Sequence, residues 1–358
     1  LSNLHIKNKT MYSLTYDDIQ LVPRFSKVKS RQDISLRTKL SRNYDLLIPI
    51  VASPMDTVCE VDMAVKMFRM GGVGCIHRFN TPEEQAQMVR ELCYRIFEEN
   101  GEGHLWFDWD EEDKIPIMAA IGVSEDDKRR AELLDAAGAS VILIDVAHGD
   151  HQNVIDMIKW CKEFLSDDID IIAGNIATAE AAQRLQYAGA DGLRVGIGGG
   201  SLCTTRIKTG FGIPNVSCIE EIVKVAEVPV MADGGIRSSG DIAKALAVGA
   251  DNVMIGSLIA GTDEAPGQIV ERPNGLYKRY RGSASLETKT VHGQAQRNVE
   301  GESTVIPYKG GVKFIINGLV DGIRSALSYG GADSLDHYYP DYVIVTNSGI
   351  NEAKPHLL

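Results

Sequence analysis

Residues 169–198, IDIIAGNIATAEAAQRLQYAGADGLRVGIG, contain a short apolar run, a helical stretch and a second short run. Both runs are rich in β-branched and apolar residues on each face, the pattern of strands buried in a parallel sheet. The stretch between them ends in Ala-Gly-Ala, where the glycine suits a left-handed helix C-cap. Outward from here the same unit recurs. Toward the N-terminus lie LIPIVAS (47–53), GGVGCIH (71–77), IPIMAAIGV (115–123) and SVILIDVAHG (140–149). Toward the C-terminus lie VPVMADGGI (228–236) and DNVMIGS (251–257). Helices are expected at Val61–Met70, over TPEEQAQMVRELCYRIF, SEDDKRRAELLDAAGA and SSGDIAKALAVGA, and over 311–328. Eight strands alternating with helices fit a closed (β/α)8 TIM barrel better than an open doubly wound sheet, which the alternation also allows. In a barrel, strand C-terminal ends line the active face, which gathers Ser53, His77, Asp145, Asn175, Gly198, Asp233 and Ser257.

One barrel domain over residues 1–358 accounts for the chain, with two stretches out of rhythm. Residues 98–114, EENGEGHLWFDWDEEDK, are expected to form an acidic surface loop, with contact to another subunit as one role. Residues 281–310 are polar, lack helical periodicity and are expected to form a mobile active-site flap.

The 358 residues carry a formal net charge of -12 and are 44% hydrophobic. That charge argues against nonspecific binding to nucleic acid or an anionic membrane, both of which need basic surface. A phosphorylated ligand stays compatible, since local amides and one or two cations hold a phosphate. Six cysteines without a CxxC pair read as reduced thiols in a cytoplasmic protein. LSNLHIKNKTMYSL lacks an apolar leader core, and no run approaches the length of a membrane span.

Two motifs carry chemistry. In ADGGIRSSGDIAKAL (232–246) a strand ends in Asp233, glycines open the turn, and Ser238 or Ser239 can cap the next helix. MIGS (254–257) supplies a second such corner, and the pair matches the phosphate site after barrel strands 7 and 8. The plainer alternative is that these glycines only make tight turns. In GIGGGSLCTTRIKTGFG (196–212), Ser201 stands where a dinucleotide-binding fingerprint needs glycine. Thr204, Thr205, Thr209, Gly210 and Gly212 disfavour a helix, so Cys203 is expected on a polar loop at the active face. There it is a nucleophile in preference to a core filler, with Arg206 and Lys208 at hand to lower its pKa. His77 and His148 lack metal-ligand spacing. Asp145 and Asp233 suit a ribose or a cofactor amide, and Met55 fits the core as well as a base contact.

YDDIQLVP (16–23), IVASPMDTV (50–58), GGVGCIH, IDVAHG, AGNIAT, GIGGGSLCTTR, ADGGIR, GTDEAPG and YRGSAS together resemble the inosine monophosphate dehydrogenase and guanosine monophosphate reductase family, in the family's order. The resemblance implies a (β/α)8 barrel, a homotetramer, a purine nucleoside monophosphate and a nicotinamide cofactor. It implies that Cys203 adds to carbon 2 of the purine. Ser201, Gly235, Gly256, Ser257 and Tyr280 would hold phosphate, with Asp233 on the ribose. Ser53, Met55, Ser283 and Ala284 would lie on the nucleotide and its base, and Asp145 and Asn175 would face the cofactor and the reacting centre. Gly198, Gly200 and Cys203 match positions whose carbonyls bind potassium in dehydrogenases, although Gly199 stands where the family often has proline.

Within the family, the resemblance favours the reductase, which expels ammonia from a 2-amino purine and takes hydride from NADPH. Thr205 matches its threonine, and Glu287 is the expected glutamate, one residue out of register because Leu286 separates it from Ser285. A dehydrogenase using NAD needs an Arg-Tyr pair to activate water, but Arg297 is followed by Asn298. The tandem regulatory (CBS) insertion common in dehydrogenases is missing. SPMDTV and GTDEAPG look like dehydrogenases. A silent nucleotide-binding relative and a flavin-dependent barrel oxidoreductase are the readings from other classes.

Overall fold

The computed structural model describes residues 13–97, 109, 113–291, 299–346 and 349. Eight parallel strands close into a barrel in sequence order: β1 (Ile50–Ala52), β2 (Val73–Ile76), β3 (Met118–Ile121), β4 (Val141–Asp145), β5 (Asp170–Ile176), β6 (Gly192–Val195), β7 (Val230–Asp233) and β8 (Asn252–Ile255). All eight lie inside the runs read from the sequence. The open-sheet alternative fails because β8 pairs with β1, Val253 opposite Ile50.

Alternation along each strand sets the layers. On β4, Val141 and Leu143 enter the barrel interior while Ile142 and Ile144 pack outward under the helices. The interior cluster also holds Val51, Val73, Cys75, Met118, Ala120, Ile172, Met231 and Met254. A hairpin of Thr38–Lys39 and Asp45–Leu46 closes the strands' N-terminal mouth with Leu40, Tyr44 and Leu46. Each such fully buried aliphatic side chain contributes roughly 1.5–3 kcal/mol. The same period of two carries Asp145, Arg194 and Asp233 inward, one layer above this cluster at the C-terminal mouth.

The helices follow their sequence signals. Val61–Arg69, Pro82–Phe97, Glu125–Asp135, Ala179–Ala188, Ser239–Ala247 and Val312–Gly330 occupy the expected stretches. Ser124, Thr178 and Ser238 cap their helices by accepting backbone amides. The three glycines of the Ala-Gly-Ala and Val-Gly-Ala corners, Gly138, Gly189 and Gly249, have φ of 100°, 109° and 105°, as C-caps require.

Residues 98–117 join Phe97 to β3, too short a connection for a tandem regulatory domain. Most of the stretch read as an acidic loop lies outside the described residues. Of the part described, Trp109 stacks on Phe68 with ring centroids 5.4 Å apart, and Asp113 takes a bidentate pair from Arg37 at 2.7 and 2.8 Å. Both contacts are within the chain.

The flap is more regular than its composition suggests. Val270–Arg272, Gly275–Arg281 and Ser303–Pro307 form an antiparallel sheet, and Leu286–Val291 is a short helix. Residues 292–298, including Arg297 and Asn298, lie outside the described residues. At the chain's two ends, Ile19–Leu21 pairs antiparallel with Tyr342–Ile344. Just before that first strand, Tyr16 packs its buried ring against Gly235, and Lys244 donates to the Tyr16 carbonyl at 2.8 Å.

Candidate active site

A cavity of about 480 Å³ opens at the C-terminal mouth of the barrel. It is lined by Ser53, Met55, Asp145, Asn175, Gly198, Gly200, Ser201, Cys203, Thr205, Asp233, Gly235, Gly256, Ser257, Tyr280, Ser283 and Ala284. The structure thus brings together every catalytic, nucleotide and cofactor residue expected from the sequence except Glu287; His77, also expected at the active face, is instead buried beside Glu60, with Nε2 3.1 Å from its carboxylate.

The glycine corners are built for close approach. At Gly256 an added Cβ would sit 3.4 Å from both the Met55 sulfur and the Tyr280 hydroxyl. Tyr280 and Ser201 share a hydrogen bond of 3.1 Å, so a flap strand and the loop after β6 meet beside the Gly256 corner. At Gly196, φ is 132° and a Cβ would collide with the Asp233 carbonyl oxygen, so only glycine lets the Cys203 loop leave the barrel here.

Cys203 is partly buried at the head of a chain of hydrogen bonds. Its thiol donates to the Thr205 hydroxyl at 3.1 Å, and that hydroxyl donates to Glu300 Oε2 at 2.7 Å. Two backbone hydrogen bonds hold the flap segment to this loop, Thr204 N to Glu300 O and Glu302 N to Leu202 O, both 2.9 Å, and a third, Glu300 N to Ala284 O at 3.1 Å, ties the two arms of the flap together. The chain around the cysteine is not the open loop expected. Thr205–Thr209 forms a short helix, held by Thr209 Oγ1 donating to the Thr205 carbonyl at 2.7 Å and ended by Gly210 at φ 76°. Arg206 is turned away from the thiol, donating to the carbonyls of Ile197 at 3.0 Å and Ile213 at 2.9 Å.

Glu287 is the correction. Leu286 starts a helix whose inner side is fixed by Ser285 and Thr288, their hydroxyls 2.9 Å apart. That turns Glu287 outward onto Arg279 and Arg281. Burial raises its pKa, but a Ser303 hydrogen bond and the two guanidiniums outweigh it and leave the carboxyl below its usual range. The group is held ionised, in salt bridges, away from the thiol. Glu300 was missed: the sequence reading stopped at Arg297 and Asn298, and only the strand Ser303–Pro307 and its pairing show the chain returning to Cys203.

Arg194 was also passed over, as one residue of a strand. It is buried, with its Nη1 2.5 Å from Asp145 Oδ1 and its Nη2 3.0 Å from Asp233 Oδ2. Burial disfavours its charge, but the two carboxylates more than offset that and hold it protonated. Asn175 Nδ2 donates to the same Asp233 oxygen at 2.7 Å and to the Gly196 carbonyl at 2.8 Å. Arg78 approaches Asp145 from the other side, donating to its backbone carbonyl at 3.1 Å.

A second cavity, of about 460 Å³, adjoins the first. Thr205 and Glu300 line both, and His148, Asp150, Thr178 and Phe211 line the second. All six cysteines are free thiols. Among the described residues no cluster of His, Cys, Asp or Glu is arranged to hold a metal, and no helix is long and apolar enough to cross a membrane.

Residues 13–356 match the family model described as IMP dehydrogenase / GMP reductase domain. An inosine-5'-monophosphate dehydrogenase from Cryptosporidium parvum is 39% identical, over 96% of this chain and 94% of that protein. A GMP reductase from Leishmania major is 34% identical, over 96% of each. A solved structure of a cysteine-to-alanine variant of GMP reductase from Trypanosoma brucei, in complex with guanosine 5'-monophosphate, superposes with a TM-score of 0.90 at 32% identity. It covers 98% of this chain and 99% of its own.

Proposed function

The chain belongs to the IMP dehydrogenase / GMP reductase family, and we propose that within it the chain acts as a GMP reductase, converting GMP to IMP and ammonia. The observation that carries this reading is the relay Cys203–Thr205–Glu300 on the wall shared by two cavities.

The nucleotide lies in the first cavity, its phosphate at Ser201, Gly235, Gly256, Ser257 and Tyr280 and its ribose on Asp233. Ser53, Met55, Ser283 and Ala284 frame the base. The Cys203 sulfur adds to carbon 2 while its proton passes through the Thr205 hydroxyl to Glu300. Glu300 returns that proton to the departing 2-amino group. One proton, the thiol's own, is enough to turn the amine into ammonia and leave a thioimidate between sulfur and purine. Loss of the sulfur after reduction of carbon 2 gives IMP and the free thiolate.

The second cavity would hold a nicotinamide cofactor, because Thr205 and Glu300 line both it and the nucleotide cavity. When bound, the reduced cofactor supplies hydride. NADPH is the favoured form. Asp145 and Asn175, expected to face it and the reacting centre, line the first cavity and not the second, which puts them on the nucleotide side. Gly198, Gly200 and Cys203 remain the proposed potassium ring. Gly200's carbonyl already accepts the Cys203 amide at 3.0 Å, so potassium dependence of the rate is the direct check. The homotetramer and the cytoplasmic location belong to the same reading, the first tested by sedimentation.

A second reading, IMP dehydrogenase with NAD, is favoured by the 39% identical relative. Two parallel absorbance assays separate them: GMP with NADPH, and IMP with NAD and potassium. NADPH loss with ammonia release supports the reductase. NADH formed from IMP overturns it. Tight nucleotide binding with silence in both assays identifies a regulatory relative.

A further inference from the structure

We propose that Asn215 is a positioning residue for the nucleotide's phosphate: from behind the cavity wall it aims the Gly235 amide at the ligand. This rests on the reading above that the corner after β7 takes the phosphate, and it holds equally for a reductase or a dehydrogenase.

The turn after β7 is loose in its own right. Gly234 and Gly235 have φ of 90° and 76°, and two successive glycines leave the peptide planes between them free to rotate. Such a turn makes a concavity for an anion only when its amides are held in one direction. The wall around it offers little charge: among the described residues lining the first cavity, the cations are Arg78 and Arg194, both engaged with Asp145. A phosphate there depends on backbone amides and hydroxyls, so their aim decides the affinity.

Asn215 supplies the aim. It opens the helix Asn215–Val223, with Pro214 in the capping position, and its side chain serves the turn instead of the helix. It is buried, at 4% exposure. Its Nδ2 donates to the Asp233 carbonyl at 3.0 Å and to the Gly234 carbonyl at 2.6 Å, so both amide hydrogens are spent on consecutive peptide planes. In a trans peptide the N–H and C=O point in opposite directions. Holding the Gly234 carbonyl toward Asn215 therefore turns the Gly235 N–H away from it. Gly234 and Gly235 both line the cavity, and Asn215 does not. Packing keeps the fork in place: a Cβ on Gly199, in the Cys203 loop, would lie 3.3 Å from both Asn215 Nδ2 and Oδ1, and one on Gly235 would lie 3.4 Å from the Tyr16 ring.

The test separates the phosphate from the rest of the nucleotide. GMP and guanosine are titrated by calorimetry without cofactor, so that nothing turns over, and steady-state constants are taken alongside. Asn215→Leu has nearly the same shape and no donors. It is expected to weaken GMP by about tenfold or more and guanosine by less than about threefold, because only GMP carries the charged acceptor. KM for GMP rises in step, and kcat stays within about threefold. Asn215→Ser, with a single shorter donor, falls between Leu and the unaltered chain. IMP and inosine take the same parts if the chain proves a dehydrogenase. A merely structural role would weaken GMP and guanosine alike, or lower kcat with GMP affinity kept, and either result overturns the inference. GMP affinity unchanged in Asn215→Leu also overturns it. Should Asn215→Leu not fold, the same GMP-to-guanosine ratio in Asn215→Ser decides. If the unaltered chain binds neither GMP nor IMP, the functional reading itself falls, an outcome distinct from nucleotide binding with an unmoved ratio.

Discussion

Glu287 and Glu300 stand on opposite arms of one flap and have opposite surroundings. Glu287 lies in the first turn of a helix and faces two arginines, which keep it ionised and occupied. Glu300 lies just before the strand Ser303–Pro307 and faces one neutral hydroxyl, with the Cys203 thiol behind it. A carboxylate clamped by guanidiniums is an anchor. A carboxylate that accepts from a hydroxyl in a cavity wall can take up a proton and release it. What divides the pair is the local chain: a helix begun at Leu286 turns one outward, and backbone pairing to the Cys203 loop brings the other in.

The largest test of this contrast removes the thiol both arms surround. Cys203→Ala is expected to cut turnover by about 10⁴-fold or more while nucleotide binding, read by calorimetry, persists. Glu300→Gln is expected to lose about 10²- to 10⁴-fold in kcat, while Glu287→Gln changes it by less than about threefold. The reverse order would show that Glu287 moves inward during turnover and would break the comparison. Thr205→Val should lose about a hundredfold, and the double variant with Glu300→Gln little more than Glu300→Gln alone, because both act on one proton. At the phosphate end, Gly256→Ala should raise the nucleotide KM by about tenfold, or about 1.4 kcal/mol, with little effect on kcat. The smallest effect belongs to the exposed clamp. Arg279→Ala is expected to move stability by less than about 0.5 kcal/mol in urea titration and to leave the rate unchanged.

The barrel was legible because its repeat is redundant. Each strand is flanked by corners that say the same thing, from the Ser124, Thr178 and Ser238 caps to the glycines at 138, 189 and 249. The cavity was legible through residues that backbone geometry demands, glycines at strand ends with polar partners beside them. What stayed hidden depends on where a side chain points after an irregular turn. The spacing Ser285-Leu286-Glu287 does not tell whether a helix starts there, and pairing of residues 300–302 with 202–204 is long-range in sequence. The short helix at Thr205–Thr209 was misjudged because threonine and glycine propensities were weighed alone, without the side-chain bond from Thr209 to the Thr205 carbonyl. Arg194 did leave a signal: a single charged residue inside a run otherwise fit for burial asks for counter-charges on neighbouring strands.

The pairing of Ile19–Leu21 with Tyr342–Ile344 bears on how the protein can be handled. The first strand directly follows the short turn that seats Tyr16 against Gly235, so the last strand braces the corner proposed for the nucleotide from the other end of the chain. Trimming the C-terminal segment back past Tyr342 would therefore not be cosmetic. The cut would register as weakened hold on the nucleotide's phosphate, far along the sequence from where it was made.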